Sequence, residues 1–289
     1  MPVRWGTLPG QNSMRYFDAH THLQFVAYER DHDAAVERAR EAGVGVNLVG
    51  TQIDTSRAAV ALAHKHEEAW ATIGLHPVHT TRSYHDTAEL GKGGKEFTSR
   101  GEVFDANAYE KLGRDPKVIA IGECGLDYYR NDPITAAAQR HALMAQIDLA
   151  NRLKKPLMLH VRPSKGSQDA YRDALALVES SSEVKGDVHF FAGNWDTAKQ
   201  WLDLGFTLSF TGVLTFTHDY DEVVQHTPLD MLLSETDAPY ITPVPHRGTR
   251  NESAYIPLVV QAIARIKKLP EEEVRLQLLA NAERVFGLK

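Results

Sequence analysis

The feature that most constrains the fold is an eightfold alternation between short apolar segments and longer segments with a helical period. In the longer segments apolar residues recur at spacings of three and four, which is typical of amphipathic helices. Repeated strand–helix alternation predicts an α/β protein with a parallel sheet, and eight units in about 270 residues match a (β/α)8 TIM barrel. A doubly wound open sheet is the alternative that chain order alone leaves open. The strand candidates are residues 15–19, 45–50, 71–75, 118–122, 156–161, 187–191, 206–210 and 231–235.

The predicted barrel occupies most of the chain. Residues 1–14 are polar with proline and glycine, and we expect an irregular N-terminal arm there, followed by a single domain over residues 15–289. Residues 79–107 have no clear period and contain several glycines, which predicts an inserted loop or lid after the third strand. The helix candidates are residues 33–42, 57–68, 134–152, 167–178, 195–204, 219–226, 255–268 and 271–285.

Composition excludes several classes of protein. The chain has 289 residues, a formal net charge of -6 and one cysteine, Cys124, so an intrachain disulfide framework is impossible. Cys124 lies beside Glu123, which does not favour a thiolate nucleophile, and we expect it to have a packing role. No apolar run approaches the roughly 18 residues that cross a bilayer, and the first residues lack a signal sequence, so the expected location is the cytoplasm. The acidic balance argues against nucleic-acid binding through global charge.

Side chains of the types that bind metals lie at or just after the C-terminal ends of five strand candidates. Each has an ordinary alternative: a polar loop pair, a helix cap or salt bridge, a hydrogen-bonded core histidine, or a capped turn. In a barrel, however, these strand ends converge on one face. Their conjunction predicts a binuclear metal site of two divalent ions, with Mg, Mn, Zn and Ni all compatible. The six candidate ligands are His20, His22, Glu123, His160, His189 and Asp237.

Spacing suggests individual roles around this site. Residues two apart on a strand point to the same side, so His20 and His22 can bind one ion together. Asp237 can ligate a metal and also take a proton from an attacking water. Glu235, on the same side as Asp237, can orient a ligand histidine. Arg162, two residues after the His160 position, can meet an anionic oxygen.

These motifs resemble those of the TatD family of metal-dependent deoxyribonucleases, within the amidohydrolase-like barrels. The matching stretches run in family order over roughly residues 16 to 288 and are FDAHTHL, GLHP, AIGECGLDYY, LMLHVR, HFFAG, LLSETDAPY and NAERVFGL. The resemblance implies that His20, His22 and Asp237 hold one metal, that His160 and His189 hold the other, and that Glu123 bridges them. It also implies that His76 contacts a substrate phosphate.

The chain departs from the family pattern at two of these motifs. The family usually has cysteine after the ligand histidine and a hydroxyl residue before the glycine, where this chain has Phe190 and Ala192. This changes the local pocket beside the predicted ligand. His79 lies one residue farther from His76 than in the common pattern, and the long segment after it has no recognised counterpart.

The predicted function is a metal-dependent phosphodiester hydrolase, a DNase acting as a 3′-to-5′ exonuclease on single-stranded DNA and also on RNA. Glu123 and Asp237 are the predicted catalytic residues around a water activated by two metals. The alternatives are a small-molecule amidohydrolase, lactonase or phosphotriesterase on the same barrel, and a non-enzymatic binding protein. The expected partner is nucleic acid, as substrate, and no membrane association is expected. The expected oligomeric state is a monomer or weak oligomer.

Substrate contacts are predicted on the loops at the same face. His76, Arg162, Tyr128 and Tyr240 are the predicted substrate-binding residues, and Tyr129 is a further ring available to stack bases. Basic residues of the predicted top loops could follow a phosphate backbone, although half or more are expected to be ordinary solvated charges. They are Arg82, Lys92, Lys95, Arg130, Lys165, Arg247 and Arg250.

Overall fold

Eight parallel strands are hydrogen-bonded side by side in the order in which they occur along the chain. The structure is a computed structural model that describes residues 14–82, 84–85, 97–129 and 133–288. Nearly all of the predicted N-terminal arm lies outside this range. The barrel strands are β1 (Tyr16–Thr21), β2 (Val44–Val49), β3 (Ala69–Ile73), β6 (Val118–Asp127), β7 (Leu157–Arg162), β8 (Gly186–His189), β9 (Thr207–Phe210) and β10 (Leu232–Ser234).

Helices follow most of the strands and cover the outside of the barrel. Their apolar faces are buried against the strands, and the side chains of Leu48, Ile73, Leu143 and Ile263 are fully buried between the two layers. Burying a side chain of this size contributes about 2 kcal/mol. The helices are α1 (His32–Glu41), α2 (Ile53–Ala63), α3 (Ala106–Gly113), α4 (Pro133–Leu153), α5 (Asp169–Ser181), α6 (Trp195–Asp203), α7 (Asp221–His226), α8 (Ile256–Lys267) and α9 (Glu271–Phe286).

The first and last strands approach each other and nearly close the barrel. The hydroxyl of Ser234 in β10 contacts the carbonyl of Phe17 in β1 at 3.4 Å. Beyond β10, the amide of Asp237 donates to the carbonyl of His20 at 2.9 Å, and the amide of His22 donates to the carbonyl of Ala238 at 2.8 Å. The predicted (β/α)8 barrel is therefore confirmed, and the doubly wound alternative is wrong.

Strand β6 is longer than the sequence prediction, which ended it at residue 122. It continues to Asp127, and its residues 121–127 pair with β7, with one irregularity after Gly122. Glycine at position 125 permits this pairing, because a Cβ there would lie 1.9 Å from the carbonyl oxygen of His160. Glu123 therefore lies within a strand rather than after one.

The segment after β3 contains elements that periodicity did not reveal. Two short strands, β4 (Tyr84–His85) and β5 (Phe97–Thr98), pair in antiparallel fashion, and residues 86–96 between them lie outside the described residues. Helix α3 begins at residue 106, where the carboxylate of Asp105 accepts the amides of Asn107 and Ala108. This helix is too short for its period to stand out in the sequence.

No helix in the described part of the chain combines the length and the apolar character needed to cross a membrane.

Candidate metal centre

The six predicted ligands meet at the C-terminal mouth of the barrel, with the carboxylate of Glu123 at their centre. One oxygen, Oε1, lies 2.9 Å from Nδ1 of His160 and 3.1 Å from Nε2 of His189. The other oxygen, Oε2, lies 3.4 Å from Nε2 of His20 and 3.8 Å from Nε2 of His22. The two oxygens of one carboxylate thus face two different pairs of histidines.

Asp237 completes the group formed by His20 of β1 and His22, which follows this strand. Its Oδ1 lies 3.4 Å from Nε2 of His22 and 3.9 Å from Nε2 of His20. The ligand atoms of these three residues lie within 4.8 Å of one another, a spacing suited to one metal ion. The backbone of Asp237 has a φ of 52°, an unfavourable region for a residue other than glycine, which aspartate tolerates better than most. Such backbone conformations occur frequently at functional sites.

The tautomer of His22 is fixed by the backbone. Its Nδ1 lies 2.8 Å from the carbonyl oxygen of Val49, which can only accept a hydrogen bond. Nδ1 therefore carries a hydrogen, and in the neutral ring Nε2 presents its lone pair to His20, whose Nε2 is 3.1 Å away. Lone pairs and carboxylate oxygens repel at such distances unless a proton or a cation lies between them. This donor set fits a bound metal ion.

Both histidines on the other side of Glu123 are backed by a second carboxylate. Nε2 of His160 lies 3.1 Å from Oδ2 of Asp127, and Nδ1 of His189 lies 3.4 Å from Oε1 of Glu235. Carboxylates behind ligand histidines fix the ring orientation and make the ligand more basic. Glu235 lies beside His189 as expected, and its orienting role stays a prediction. Asp127 was not predicted, although its position four residues after Glu123 in the ECGLDYY motif was a usable signal.

Glu235 is itself held inside the barrel. Its Oε1 accepts the amide of Phe190 at 2.7 Å, and its Oε2 accepts the hydroxyl of Ser209 at 2.9 Å. Ser209 also contacts Asp187 at 2.5 Å, and the side chains of Glu235, Ser209 and Asp187 are all buried. At the position where the family usually has cysteine, Phe190 therefore contributes a backbone donor that supports the centre.

His76 differs from the predicted ligand histidines in its hydrogen bonding. Its Nδ1 accepts the amide of Val78 at 3.2 Å, which places the hydrogen of the neutral ring on Nε2. Nε2 lies 3.2 Å from Oε1 of Glu123 and donates to it. A histidine that presents N–H toward the centre is suited to an anionic oxygen rather than to a cation.

The electrostatic environment keeps Glu123 ionised. Burial alone would raise the pKa of its carboxyl, but the surrounding imidazoles, among them His76, His20 and His189, lower this pKa well below the usual value. Burial would also lower the pKa of His189, but the carboxylates of Glu235 and Glu123 raise it well above the ordinary value. The centre therefore attracts positive charge strongly.

Besides His76, two further predicted substrate residues belong to segments that carry residues of the centre. The guanidinium of Arg162 lies over the ring of Tyr129 with 4.0 Å between Cζ and the ring centroid, and Tyr129 is 44 % exposed. Tyr240 is half-buried, burial raises the pKa of its phenol to about 12, and its amide donates to the carbonyl of Asp237. The rings of Tyr129 and Tyr240 thus follow closely in sequence on Asp127 and Asp237, respectively.

The structure does not bring Tyr128 to the site. Its side chain is buried in the core, its hydroxyl donates to Asp173 at 3.1 Å, and the same oxygen accepts from Arg140 at 2.8 Å. Residues of two helices therefore hold this side chain. The prediction that its ring stacks on a base does not agree with this placement. The neighbouring Tyr129 is the exposed ring of the pair.

The predicted basic residues also separate into two groups. Arg250 pairs with Asp31 and Glu252 and lies over the ring of Tyr28, so it has a structural role. Arg82, Lys165 and Arg247 are exposed. Lys92, Lys95 and Arg130 lie outside the described residues.

A parallel eight-stranded barrel with histidines and carboxylates converging at its C-terminal mouth defines the class of metal-dependent barrel hydrolases. Comparison with known proteins narrows this class. The family model described as TatD related DNase matches residues 17–287. The chain belongs to the TatD family and is a metal-dependent hydrolase, which confirms the resemblance seen in the sequence.

Individual relatives cover nearly the whole chain. A protein of Klebsiella pneumoniae named 3′-5′ ssDNA/RNA exonuclease TatD is 34 % identical over 94 % of this chain and 98 % of its own length. An uncharacterized metal-dependent hydrolase TatD of Mycobacterium tuberculosis is 35 % identical over 94 % of this chain and 97 % of its own. The crystal structure of YjjV, a TatD homologue from Escherichia coli K12, superposes with a TM-score of 0.81 at 26 % identity, covering 96 % and 99 % of the two chains.

Proposed function

We propose that this chain is a 3′-to-5′ exonuclease that hydrolyses phosphodiester bonds of single-stranded DNA and RNA with two metal ions. The observation that carries the proposal is the position of Glu123, whose two carboxylate oxygens face separate histidine pairs. A carboxylate in this arrangement can bridge two cations. The choice of substrate is supported by the relative named as an ssDNA/RNA exonuclease.

The proposal divides the six ligands between the two ions. In this proposal His20, His22 and Asp237 hold one ion, and Glu123 is shared with a second ion. His160 and His189 complete the second site. When bound, the two cations supply positive charge for the phosphate and lower the pKa of water. Histidine-rich ligation suits Zn, Mn and Ni, and the carboxylate bridge together with a phosphate substrate also suits Mg.

The protein side chains perform the remaining tasks. Asp237, which is 15 % exposed, is the proposed acceptor of the proton lost by the attacking water. Nε2–H of His76 donates to a phosphate oxygen, and the guanidinium of Arg162 neutralises charge that develops on the phosphate. Tyr129, stacked against Arg162 and exposed on the rim, supports the base of the nucleotide being released.

Degradation of single-stranded DNA labelled at one end tests the proposal. With Mn or Mg, DNA labelled at the 5′ end should shorten stepwise, and EDTA should stop the reaction. Asp237→Asn should slow it by about 10²–10⁴-fold because the proton acceptor is lost. Asp203→Asn, an exposed aspartate at the end of α6, is the matched control and should act as the wild type does.

Two results would contradict the proposal. If folded, metal-loaded protein leaves DNA and RNA intact but hydrolyses a lactone, an amide or a phosphotriester, the small-molecule alternative holds. If Asp237→Asn retains full nuclease activity, Asp237 is not the proton acceptor.

A further inference from the structure

A second arginine–aromatic pair lies on the same face of the barrel, away from the metal centre. The guanidinium of Arg247 lies over the ring of Phe216, with 3.9 Å between Cζ and the ring centroid. Phe216 is 42 % exposed and Val244 nearby in sequence is 44 % exposed. Large apolar side chains exposed beside a cation are suited to a ligand that has both a flat ring and a negative charge.

The loops that carry this pair hold it in place. Phe216 follows the short helix Gly212–Thr215 after β9, and Arg247 belongs to the segment between β10 and α8. The amide of Val244 donates to the hydroxyl of Thr215 at 2.9 Å, which joins the two loops. One amino group of Arg247 donates to the carbonyl of Thr242 at 2.8 Å, which fixes the guanidinium over the ring.

Arg247 has no ion-pair partner among the residues that the structure describes. Within the described part of the chain, no carboxylate oxygen lies within 4.0 Å of its guanidinium, in contrast to Arg250, which pairs with two carboxylates. A guanidinium has five N–H donors, and the bond to Thr242 uses one of them. The remaining donors are available to a phosphate group.

The position of the pair relates it to the metal centre. Tyr129 lies just beyond the end of β6 and Arg162 ends β7, and Phe216 and Arg247 lie beyond the ends of β9 and β10. Strand β8, which ends with His189, lies between them in the sheet order. The two arginine–aromatic pairs thus flank the mouth of the barrel. A single strand that contacts both pairs would cross the strand end that carries His189.

We propose that Phe216 and Arg247 form a second nucleotide-binding site for the single-stranded substrate, in which a base stacks on the pair and a phosphate meets the guanidinium. This inference rests on the proposed nuclease function. The site binds a nucleotide away from the bond that is cleaved. It therefore favours longer strands over dinucleotides and contributes to affinity rather than to the chemical step.

The test compares a long oligothymidylate, a thymidine dinucleotide and bis(p-nitrophenyl) phosphate as substrates. Phe216→Ala should raise KM for the long strand about tenfold, the effect of one lost stacking contact, with kcat unchanged. The two small substrates should be unaffected. Phe216→Trp keeps an aromatic face and should restore the KM. Leu276→Ala, a 53 % exposed apolar residue on α9, is the matched control and should change nothing.

A KM for the long strand that Phe216→Ala leaves unchanged, or that rises equally for all three substrates, would overturn the inference. Binding of labelled oligothymidylate, measured by fluorescence anisotropy, tests the second site independently of the proposed nuclease function. If the wild type hydrolyses none of the substrates but Phe216→Ala weakens this binding about tenfold, the second site stands and the nuclease proposal fails. Equal binding by both proteins would show that Phe216 is not part of a nucleotide-binding site.

Discussion

Nε2 of His160 lies 3.1 Å from Oδ2 of Asp127, while Nδ1 of the same ring lies 2.9 Å from Oε1 of Glu123. The imidazole is thus held between two carboxylates, one at the centre and one behind it. Asp127 is fixed in turn, because its Oδ1 accepts the amide of Tyr129 at 3.0 Å. The outer carboxylate therefore decides which ring nitrogen of His160 faces the centre.

Replacing that outer carboxylate should weaken metal binding. We expect Asp127→Asn to lower metal affinity about 10–100-fold, because the amide neither fixes the tautomer nor makes the ligand more basic. Calorimetric titration of metal-stripped protein measures the change without relying on activity. Asp173→Asn alters the hydroxyl contact of the buried Tyr128 instead and should leave metal affinity unchanged. An Asp127→Asn protein with wild-type affinity would show that the contact has no role in binding.

Metal should also stabilise the fold. The predicted ligands come from β1 and the residue after it, from β6, β7 and β8, and from the segment after β10. A metal ion that binds them only in the native state stabilises that state relative to the unfolded chain. At a free metal concentration 100 times Kd the gain is about 2.7 kcal/mol. Calorimetric scans with and without EDTA should show a Tm higher by roughly 5 °C or more with metal. Glu123→Gln should lose most of this gain, and Glu179→Gln, on the exposed face of α5, should retain it.

At acid pH the ion pairs of Asp31 with Arg250 and Arg38 should no longer contribute to the free energy of unfolding. Hydrogen bonds from Arg250 hold the pKa of Asp31 below its ordinary value, with further help from Arg38 and against the effect of burial. A lowered carboxyl pKa stabilises the fold at any pH above the unfolded value near 3.8, and this stabilisation disappears as pH falls through the folded value.

Asp31→Asn should therefore destabilise the protein at pH 7 but progressively less below about pH 4. Urea unfolding at several pH values measures the difference from the wild type. Asp203→Asn has no ion pair among the residues described and should show little difference at any of them. A difference for Asp31→Asn that grows as pH falls would show that the ionised carboxylate of Asp31 does not stabilise the fold.

Strand β6 should not tolerate a side chain at position 125. Gly125 has a φ of 147°, and an added Cβ would lie 1.9 Å from the carbonyl oxygen of His160. We expect Gly125→Ala to cost about 3 kcal/mol or more in urea unfolding. Gly166→Ala is the control, because φ is 75° there but no atom lies within 4 Å of the added Cβ, and about 1 kcal/mol is expected. Equal costs would mean that strain alone, and not the close approach to His160, excludes a side chain.

The single thiol should report on unfolding. Cys124 is fully buried in β6, and burial raises the pKa of its thiol, so it is neither accessible nor ionised in the native state. A thiol reagent should label no site in the native protein and one site in urea. Rapid labelling of the native protein would show that β6 opens readily beside Glu123.

The sequence was sufficient to predict the barrel and the members of its centre. The ligand types are recognisable because they stand at strand ends, where apolar side chains would otherwise be expected, and the parallel barrel brings strand ends together. Glu123 lies at the middle of the centre. Each of the other five predicted ligands lies within ion-pair distance of Glu123 or of a histidine of the centre. Their binding of metal itself stays a prediction.

Other features depended on which way a side chain turns, which spacing does not determine. Tyr128 and Tyr129 are adjacent and identical in type, yet one is buried against helices and the other is exposed on the rim. The tautomers of His22 and His76 depend on Val49 and Val78, whose backbone groups reach them only in the folded chain. Likewise, the contact of Phe216 with Arg247 exists only in the folded chain, where loops that follow different strands meet.

The contacts that close the barrel determine when the centre can assemble. His20 and His22 lie near the beginning of the chain, but the partners of this segment come after β10, as in the hydrogen bond between Asp18 and Thr236, which are 218 positions apart. During synthesis on the ribosome the first histidines emerge long before Asp237 exists. An incomplete nascent chain therefore lacks one of the predicted ligands, so this centre is completed only when almost the whole protein has been made.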